Sequence, residues 1–378
     1  MQICKFSLRI VGIWPDANYH KKHFHKYRSI GIFILVSLFI NLSQTIKLFM
    51  IFNDIELFSE VLCKINLPVL VVLLMIAVFI RKHEDLTTLV MVMKEDWNTT
   101  EVEEEKLIML KMAKSARKIS LICTFLSQAT FVSHTLSELL ITINNRFQSP
   151  GNLTYRLYLV SYFPYDTNSS PKFELTWLTQ CSSTFLATLT YSGVHSLFAV
   201  FVMHLCGQFN ILRIRITSTI NKLFHGISRG CVEIIEDSFN MLFLAEILAC
   251  SIQFCLQGFQ LVIMTRGNEK KLPFDSMIVM IFFLTYLLTF LFIYCYLAEQ
   301  LRRQSAAIVF AAYKSQWYNL PSKEAKNLLL LMQRSGIPST LTAGNFFTLS
   351  LQLFNKILKT SAGYFSMLLT ITRENVND

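Results

Sequence analysis

Apolar and polar positions in this chain separate on a long scale: extended apolar runs are joined by shorter stretches that carry most of the charge. A helix rises about 1.5 Å per residue, so about twenty apolar residues cross the ~30 Å hydrocarbon layer of a membrane. Seven runs reach that length, at 30–52, 61–80, 119–143, 175–206, 241–264, 277–298 and 346–371. The first is interrupted by Asn41 and Lys47, and the second ends at Arg81-Lys82-His83-Glu84-Asp85. The fourth is long enough to project beyond the bilayer. The fifth is the most polar, carrying Glu246, Gln253 and Gln257. None alternates with period two, and an unclosed segment inside lipid satisfies its own backbone only as a helix. The pattern predicts an all-α membrane protein with seven transmembrane helices and no internal repeat.

Composition agrees. Of 378 residues, 53% are hydrophobic and 16% charged, where a soluble domain has about 25% charged residues. The net charge of +10 is unevenly placed. Segments 1–29, 81–118, 207–240 and 299–343 hold 24 Lys and Arg, and the opposite connections hold 7. Lys and Arg concentrate on the cytoplasmic side. The expected N-terminus is therefore cytoplasmic and the C-terminus extracellular, and the basic excess reads as orientation, with no nucleic-acid partner. Before residue 30 there is no compact apolar core of a cleaved signal, so the first span is expected to act as a retained anchor. Asn152-Leu-Thr154 and Asn168-Ser-Ser170 fall in the outer loop 144–174 and are the expected glycosylation sites. Asn98 falls on the inner side and Asn41 within a span, so both should stay bare.

Catalytic and metal motifs are weak. Gly226-Ile-Ser228-Arg-Gly230 fits G-x-S-x-G but lacks the strand-turn-helix setting that motif needs. His20, His23 and His25 have no accompanying Cys or acidic set and read as a basic juxtamembrane segment. The acidic run at 101–105 reads as a solvated helix face. Neither a phosphate-binding G-x-x-x-x-G-K-[ST] nor H-E-x-x-H occurs. No enzyme activity, cofactor or metal is expected. The nine cysteines stand singly without a C-x-x-C pair. A bridge between Cys63 and Cys181, near outer helix ends, stays open beside the reading as buried free thiols.

The last fifth of the chain carries a more specific signal. It combines Ser305, Tyr313 and Trp317-Tyr318 with a Leu-rich stretch ending in Arg334-Ser335. Phe354, Ile357-Leu358-Lys359-Thr360-Ser361, Tyr364-Phe365 and Leu368-Leu369 follow. This block resembles the C-terminal signature of insect odorant receptors. The resemblance implies a ligand-binding subunit of an odorant-gated, non-selective cation channel, assembled as a heterotetramer with a shared co-receptor in the plasma membrane of olfactory sensory neurons. Its partners would be that co-receptor, a volatile small molecule and membrane lipid. It also implies three parts: 1–298 with six spans and an outer ligand pocket, 299–345 as cytosolic anchor helices, and 346–378 as a pore-lining seventh helix with a short tail. The co-receptor of the family carries a long insertion where 207–240 here is short, which favours the tuning subunit.

Several residues follow. The apolar cluster 328–332 suits either a membrane-surface helix or a packing surface between subunits. The resemblance selects the second and places Tyr313, Trp317, Leu330 and Arg334 in the subunit anchor. It places Met367 and Thr370, three apart on one helix face, at the gate. Only 12 residues separate Lys359 from Thr372, too few to span. Lys356 and Lys359 are therefore expected at membrane depth or in a water-filled vestibule, paired with acids such as Glu246 or Glu299 or beside cytosolic portals. Odorants are small and mostly apolar, so the pocket should be aromatic-lined. Candidates are Phe131, His134 and Thr135 in the third span, Thr184, Thr188 and Tyr191 in the fourth, and Phe283 and Tyr286 in the sixth. Ordinary helix packing is the alternative for each. Competing functional readings are a gustatory receptor, although Gln-Phe does not follow Gly363-Tyr364; a G-protein-coupled receptor, against the charge asymmetry; and a transporter, for which no paired broken helices are visible.

Overall fold

The computed structural model describes residues 2–15, 19–62, 66–148, 156–218, 227–266, 274–315 and 317–377. It opens with a short amphipathic helix, α1 (Gln2–Val11), whose Cys4, Ser7, Leu8 and Val11 are buried. Helix α2 (Tyr19–Val36) continues through a π-helical turn, Ser37–Leu42, into α3 (Ser43–Met50). The polar interruption at Asn41 lies in that widened turn. Asn66 donates to Thr45 Oγ1 at 3.2 Å and to the Asn41 carbonyl at 3.5 Å, a typical use of Thr and Asn between spanning helices. The second apolar run is divided. Its first residue ends α4 (Ile55–Val61), where Asp54 accepts from Leu57 N–H at 3.1 Å as an N-cap. The run then resumes as α5 (Leu67–Arg81), with Pro68 in the first turn.

Helix α6 (His83–Thr99) precedes α7 (Glu103–Gln148) and α8 (Lys172–Ser218), of 46 and 47 residues. The acidic run is solvated only in part: Glu103 and Glu104 are exposed in the first turn of α7, where carboxylates favour the helix dipole, whereas Glu105 in the same turn is buried. Then come α9 (Ile227–Arg266), α10 (Phe274–Lys314), a 3-10 turn at Trp317–Asn319, α11 (Ser322–Ser335), strands β1 (Thr342–Ala343) and β2 (Phe347–Thr348), and α12 (Leu351–Asn377). Among the described residues, five stretches are long and apolar enough to cross a membrane: Lys26–Met50, Glu103–Ile143, Lys172–Ile216, Gly230–Val262 and Met277–Lys314. The shorter α5 and the C-terminal α12 complete seven.

Helix α8 is the axis of the bundle. It is apolar all round and buried through its middle, the pattern of a helix with neighbours on every side. Phe198 packs against Phe239 and Phe243 of α9 at ring separations of 5.3 and 4.9 Å, and against Tyr294 of α10 at 5.7 Å. At Gly193 the helix lets α1 approach: a Cβ there would lie 2.7 Å from Leu8 Cδ2.

The start of the seventh span differs from the sequence expectation. Residues 342–348 form an antiparallel hairpin in which Thr342 pairs with Thr348 and Ala343 with Phe347. Its three-residue loop, Gly344-Asn345-Phe346, opens with Gly344 and Asn345 at φ of 60° and 61°, the left-handed region that glycine and asparagine tolerate. Glu236 on α9 pins it, both carboxylate oxygens accepting from Thr342 N–H at 3.0 Å. Phe346 is therefore a hairpin residue, and the helix begins at Leu351. Helix α10 likewise runs unbroken past Ala298 to Lys314, so the proposed boundary at 298/299 lies inside a helix.

Candidate functional site

Four spanning helices and the α4–α5 segment diverge around a cavity of about 100 Å³. Helix α7 contributes Ser127, Thr130, Phe131 and His134 at spacings that keep one face inward. Helix α8 presents Thr184, Ala187, Thr188 and Tyr191, and α10 presents Val279, Met280, Phe283 and Tyr286. Gln257 and Gln260 of α9, with Glu60, Pro68, Val69 and Val72, close the remaining side. Seven of the eight residues proposed for an outer pocket thus line one cavity: Phe131, His134, Thr184, Thr188, Tyr191, Phe283 and Tyr286. The eighth, Thr135, is turned elsewhere, with its hydroxyl 3.0 Å from that of Tyr158.

Tyr158 belongs to the segment between α7 and α8, yet it is almost fully buried. Its ring meets His134 at 5.2 Å and Trp177 at 5.3 Å. Gln180 fixes this segment, accepting from Leu159 N–H at 3.2 Å and donating to Ser161 at 3.0 Å. The segment forms the wall behind His134, where a second, smaller cavity is lined by Gln44, Glu138, Arg156 and Tyr158 and shares Glu60 and His134 with the first. Sequence reading did not find Ser127, Met280, Gln260 or Tyr158. Gln257 had been visible as a polar interruption in the fifth run, and polar residues within spans face bundle interiors.

The surface of the main cavity is mostly apolar, although polar side chains border it. Ser127 Oγ is fully buried and has no hydrogen-bond partner in the structure, although serine in a helix ordinarily bonds back to a carbonyl one turn earlier. Deeper in the bundle, the Tyr191 ring packs on Tyr286 at 5.1 Å and Phe290 at 5.0 Å. Its hydroxyl donates to Glu246 of α9, and the hydroxyl of Tyr294 lies 2.7 Å from the ring of His195.

Two charge expectations are corrected. Glu246 is engaged by Tyr191, and Glu299 by Arg302 and Arg303 at 2.8 and 3.0 Å. Neither carboxylate is paired with Lys356 or Lys359, both of which are exposed on α12. Arginines one turn from Glu299 on the same helix reach it more readily than a lysine on another element. Met367 is 61% exposed on α12; Thr370 lies in the same helix, with its side chain outside the described residues. Tyr313 at the end of α10 and Leu330 on α11 are 69% and 56% exposed. Arg334 is exposed and Trp317 half-buried. Ser339 N–H donates to Ser305 at 3.0 Å, tying the segment after α11 to α10. Asn168 is exposed in the α7–α8 connection. Asn152 and Cys63 lie outside the described residues, and Cys181 is a half-buried free thiol.

Comparison with known proteins adds a lineage to this geometry. A family model described as 7tm Odorant receptor matches residues 55–222 and 223–362. Odorant receptor 13a of Drosophila melanogaster is 27% identical over 243 residues, 55% of this chain and 56% of that one. The chain therefore spans about half the length of that relative in the matched region. The odorant receptor coreceptor of Anopheles gambiae is 28% identical over 141 residues, covering 37% of this chain and 28% of its own. The structure of the insect olfactory receptor OR5 from Machilis hrabei in complex with eugenol superposes with a TM-score of 0.84, at 18% identity, over 98% of this chain and 97% of that one.

Proposed function

Because the chain belongs to the insect odorant receptor family, we propose that it is the odorant-tuning subunit of a ligand-gated cation channel formed with a co-receptor. The observation that carries this reading is the cavity whose walls join Phe131, Tyr191, Phe283 and Tyr286 from three spanning helices around a mostly apolar surface. Such a site suits a small, mostly apolar molecule. A solved relative of the same fold was captured with eugenol, a molecule of that kind.

Orientation follows the charge asymmetry, with the N-terminus and the α10–α11 end cytoplasmic and the cavity toward the outside. On this reading the exposed Tyr313, Leu330 and Arg334, with Trp317, face neighbouring subunits, and α12 lines the conduction path with Met367 and Thr370 at its outer constriction. Lys356 and Lys359, exposed in the single chain, face the cytosolic vestibule, which spares them the cost of a charge in lipid. Residence is the plasma membrane of olfactory sensory neurons, and Asn152 and Asn168 carry sugar.

The test is whole-cell current in a heterologous cell exposed to a panel of volatiles, for this chain alone and with the co-receptor, with G-protein signalling blocked. A fast cation current only when both are present supports the proposal. Silence despite surface expression of both overturns it.

A further inference from the structure

A carboxylate at membrane depth is costly to keep. Glu246 sits in the middle of α9, 3% exposed, inside the bundle. An apolar side chain there would avoid the desolvation of a carboxylate, so the partners of Glu246 decide what the carboxylate does. Oε1 accepts from the Tyr191 hydroxyl of α8, and the Cys250 thiol of its own helix lies 3.9 Å away. Oε2 is buried without a hydrogen-bond partner among the described residues. Tyr191 is thus its cross-helix link.

Tyr191 is also part of the cavity wall. Its ring is wedged between Tyr286, Phe290 and His195, the last at 4.0 Å. With the hydroxyl bound to Glu246, the residue offers the cavity its ring and keeps its polar atom engaged. We propose that Glu246 is a positioning residue for ligand selection: by holding the Tyr191 hydroxyl, it keeps this end of the cavity apolar and so favours ligands with a hydrocarbon end over ligands with a hydrogen-bond acceptor there. The inference rests on the reading of the cavity as the ligand site. Without the carboxylate, the hydroxyl has lost its strongest acceptor; only the neutral hydroxyl of Tyr286 on the same cavity wall remains beside it, and a stronger acceptor is favoured. A carbonyl oxygen on the ligand supplies one.

The experiment uses the purified full chain in detergent and a fluorescent apolar probe that occupies the cavity. The probe is displaced by two volatiles of matched size, an aromatic hydrocarbon and an aromatic ketone. The variants are Glu246→Leu, Glu246→Gln, Tyr191→Phe and Glu246→Leu/Tyr191→Phe. In Glu246→Leu the ketone should gain on the hydrocarbon by about tenfold, the worth of one hydrogen bond. Glu246→Gln, which retains an acceptor oxygen, should stay near wild type. Tyr191→Phe should show no gain for the ketone, and adding it to Glu246→Leu should abolish the gain, because the two changes act on one bond. Equal weakening of both ligands in Glu246→Leu, or a ketone gain that survives in the double variant, overturns the proposal. If Glu246→Leu does not fold, Glu246→Met and Glu246→Met/Tyr191→Phe take its place, and a ketone gain that is absent in the single variant or survives in the double overturns the proposal equally. Loss of probe binding in the wild type would instead remove the cavity as a ligand site. A silent channel with intact probe binding would remove only the channel reading.

Discussion

Arg215 of α8 grips both carboxylate oxygens of Glu105 on α7, with Nε 2.5 Å from Oε1 and Nη2 2.6 Å from Oε2. The two sides of this fork are unequal: the Glu105 side chain is 9% exposed and that of Arg215 is 54% exposed. Removing the arginine leaves a carboxylate in a site with little water, whereas removing the carboxylate's charge leaves a guanidinium that solvent can take up. Arg215→Ala should therefore cost about 1–3 kcal/mol, and Glu105→Gln less. The thermal midpoint of the detergent-solubilised protein measures both, and the order of the two variants is the test.

On the reading of the cavity as the ligand site, filling it should weaken the ligand response and leave the fold intact. Ala187 lines the cavity on α8, and Ala187→Leu adds three carbon atoms to a space of about 100 Å³. Ligand potency should fall at least about tenfold while surface expression stays within about twofold of wild type, as a loss of about 1.4 kcal/mol in binding alone would give. Dose–response currents beside surface labelling separate the two.

Helix α9 also meets the C-terminal helix at close range. A Cβ at Gly258 would overlap the ring of Phe365, two residues before Met367. On the proposed channel reading, Gly258→Val should push α12 away from α9 and change the resting current without changing which ligands are preferred. Unchanged resting current with altered ligand rank order would place the effect in the cavity instead.

The hairpin before α12 depends on a backbone that side chains dislike. Gly344 has φ of 60°, and a Cβ there would also overlap Leu244. Gly344→Ala should destabilise the turn by about 1–2 kcal/mol. Hydrogen exchange should then accelerate at Leu349, whose N–H donates to the Leu341 carbonyl at 2.9 Å. Helices α7 and α8 should show no change.

Glycosylation checks orientation. Asn168 is exposed beside the cavity end of the bundle, and Asn98 is exposed on α6 at the other end. A glycosidase-sensitive mobility shift should shrink in Asn168→Gln and be unaffected in Asn98→Gln. Sugar on Asn98 would invert the topology.

The spans were legible because a membrane demands long apolar runs, and few other structures do. The cavity was legible in outline because aromatic and small polar residues at helical spacing fix a shared face: Phe131 with His134, Thr184 with Thr188 and Tyr191. Thr135 was misplaced because adjacent helical positions differ by about 100°, and nothing local showed that Tyr158 would claim its hydroxyl. Tyr158 itself comes from a segment with no periodicity, so its burial is decided by tertiary packing. Helix α1 was missed for a related reason. It has ten residues and two basic side chains, so its apolar stripe of Cys4, Leu8 and Val11 was outweighed by the charge around it. The hairpin did carry a signal, Gly344-Asn345 between apolar residues, which the apolar run beginning at Phe346 obscured. Glu246 stood out as a polar interruption, but its partner lay 55 positions away and could be found only once the helices were packed.

Helices α7 and α8, with 46 and 47 residues, are each roughly 70 Å long, more than twice the depth of the hydrocarbon layer. Each is therefore a single stiff beam that begins on one side of the membrane and ends on the other with length to spare. A tilt of only about 5° about one end carries the far end roughly 6 Å sideways. On the proposed reading, a small molecule wedged between such beams would not need a chain of separate rearrangements to be felt at the opposite surface, because leverage is already present in the length of the beams.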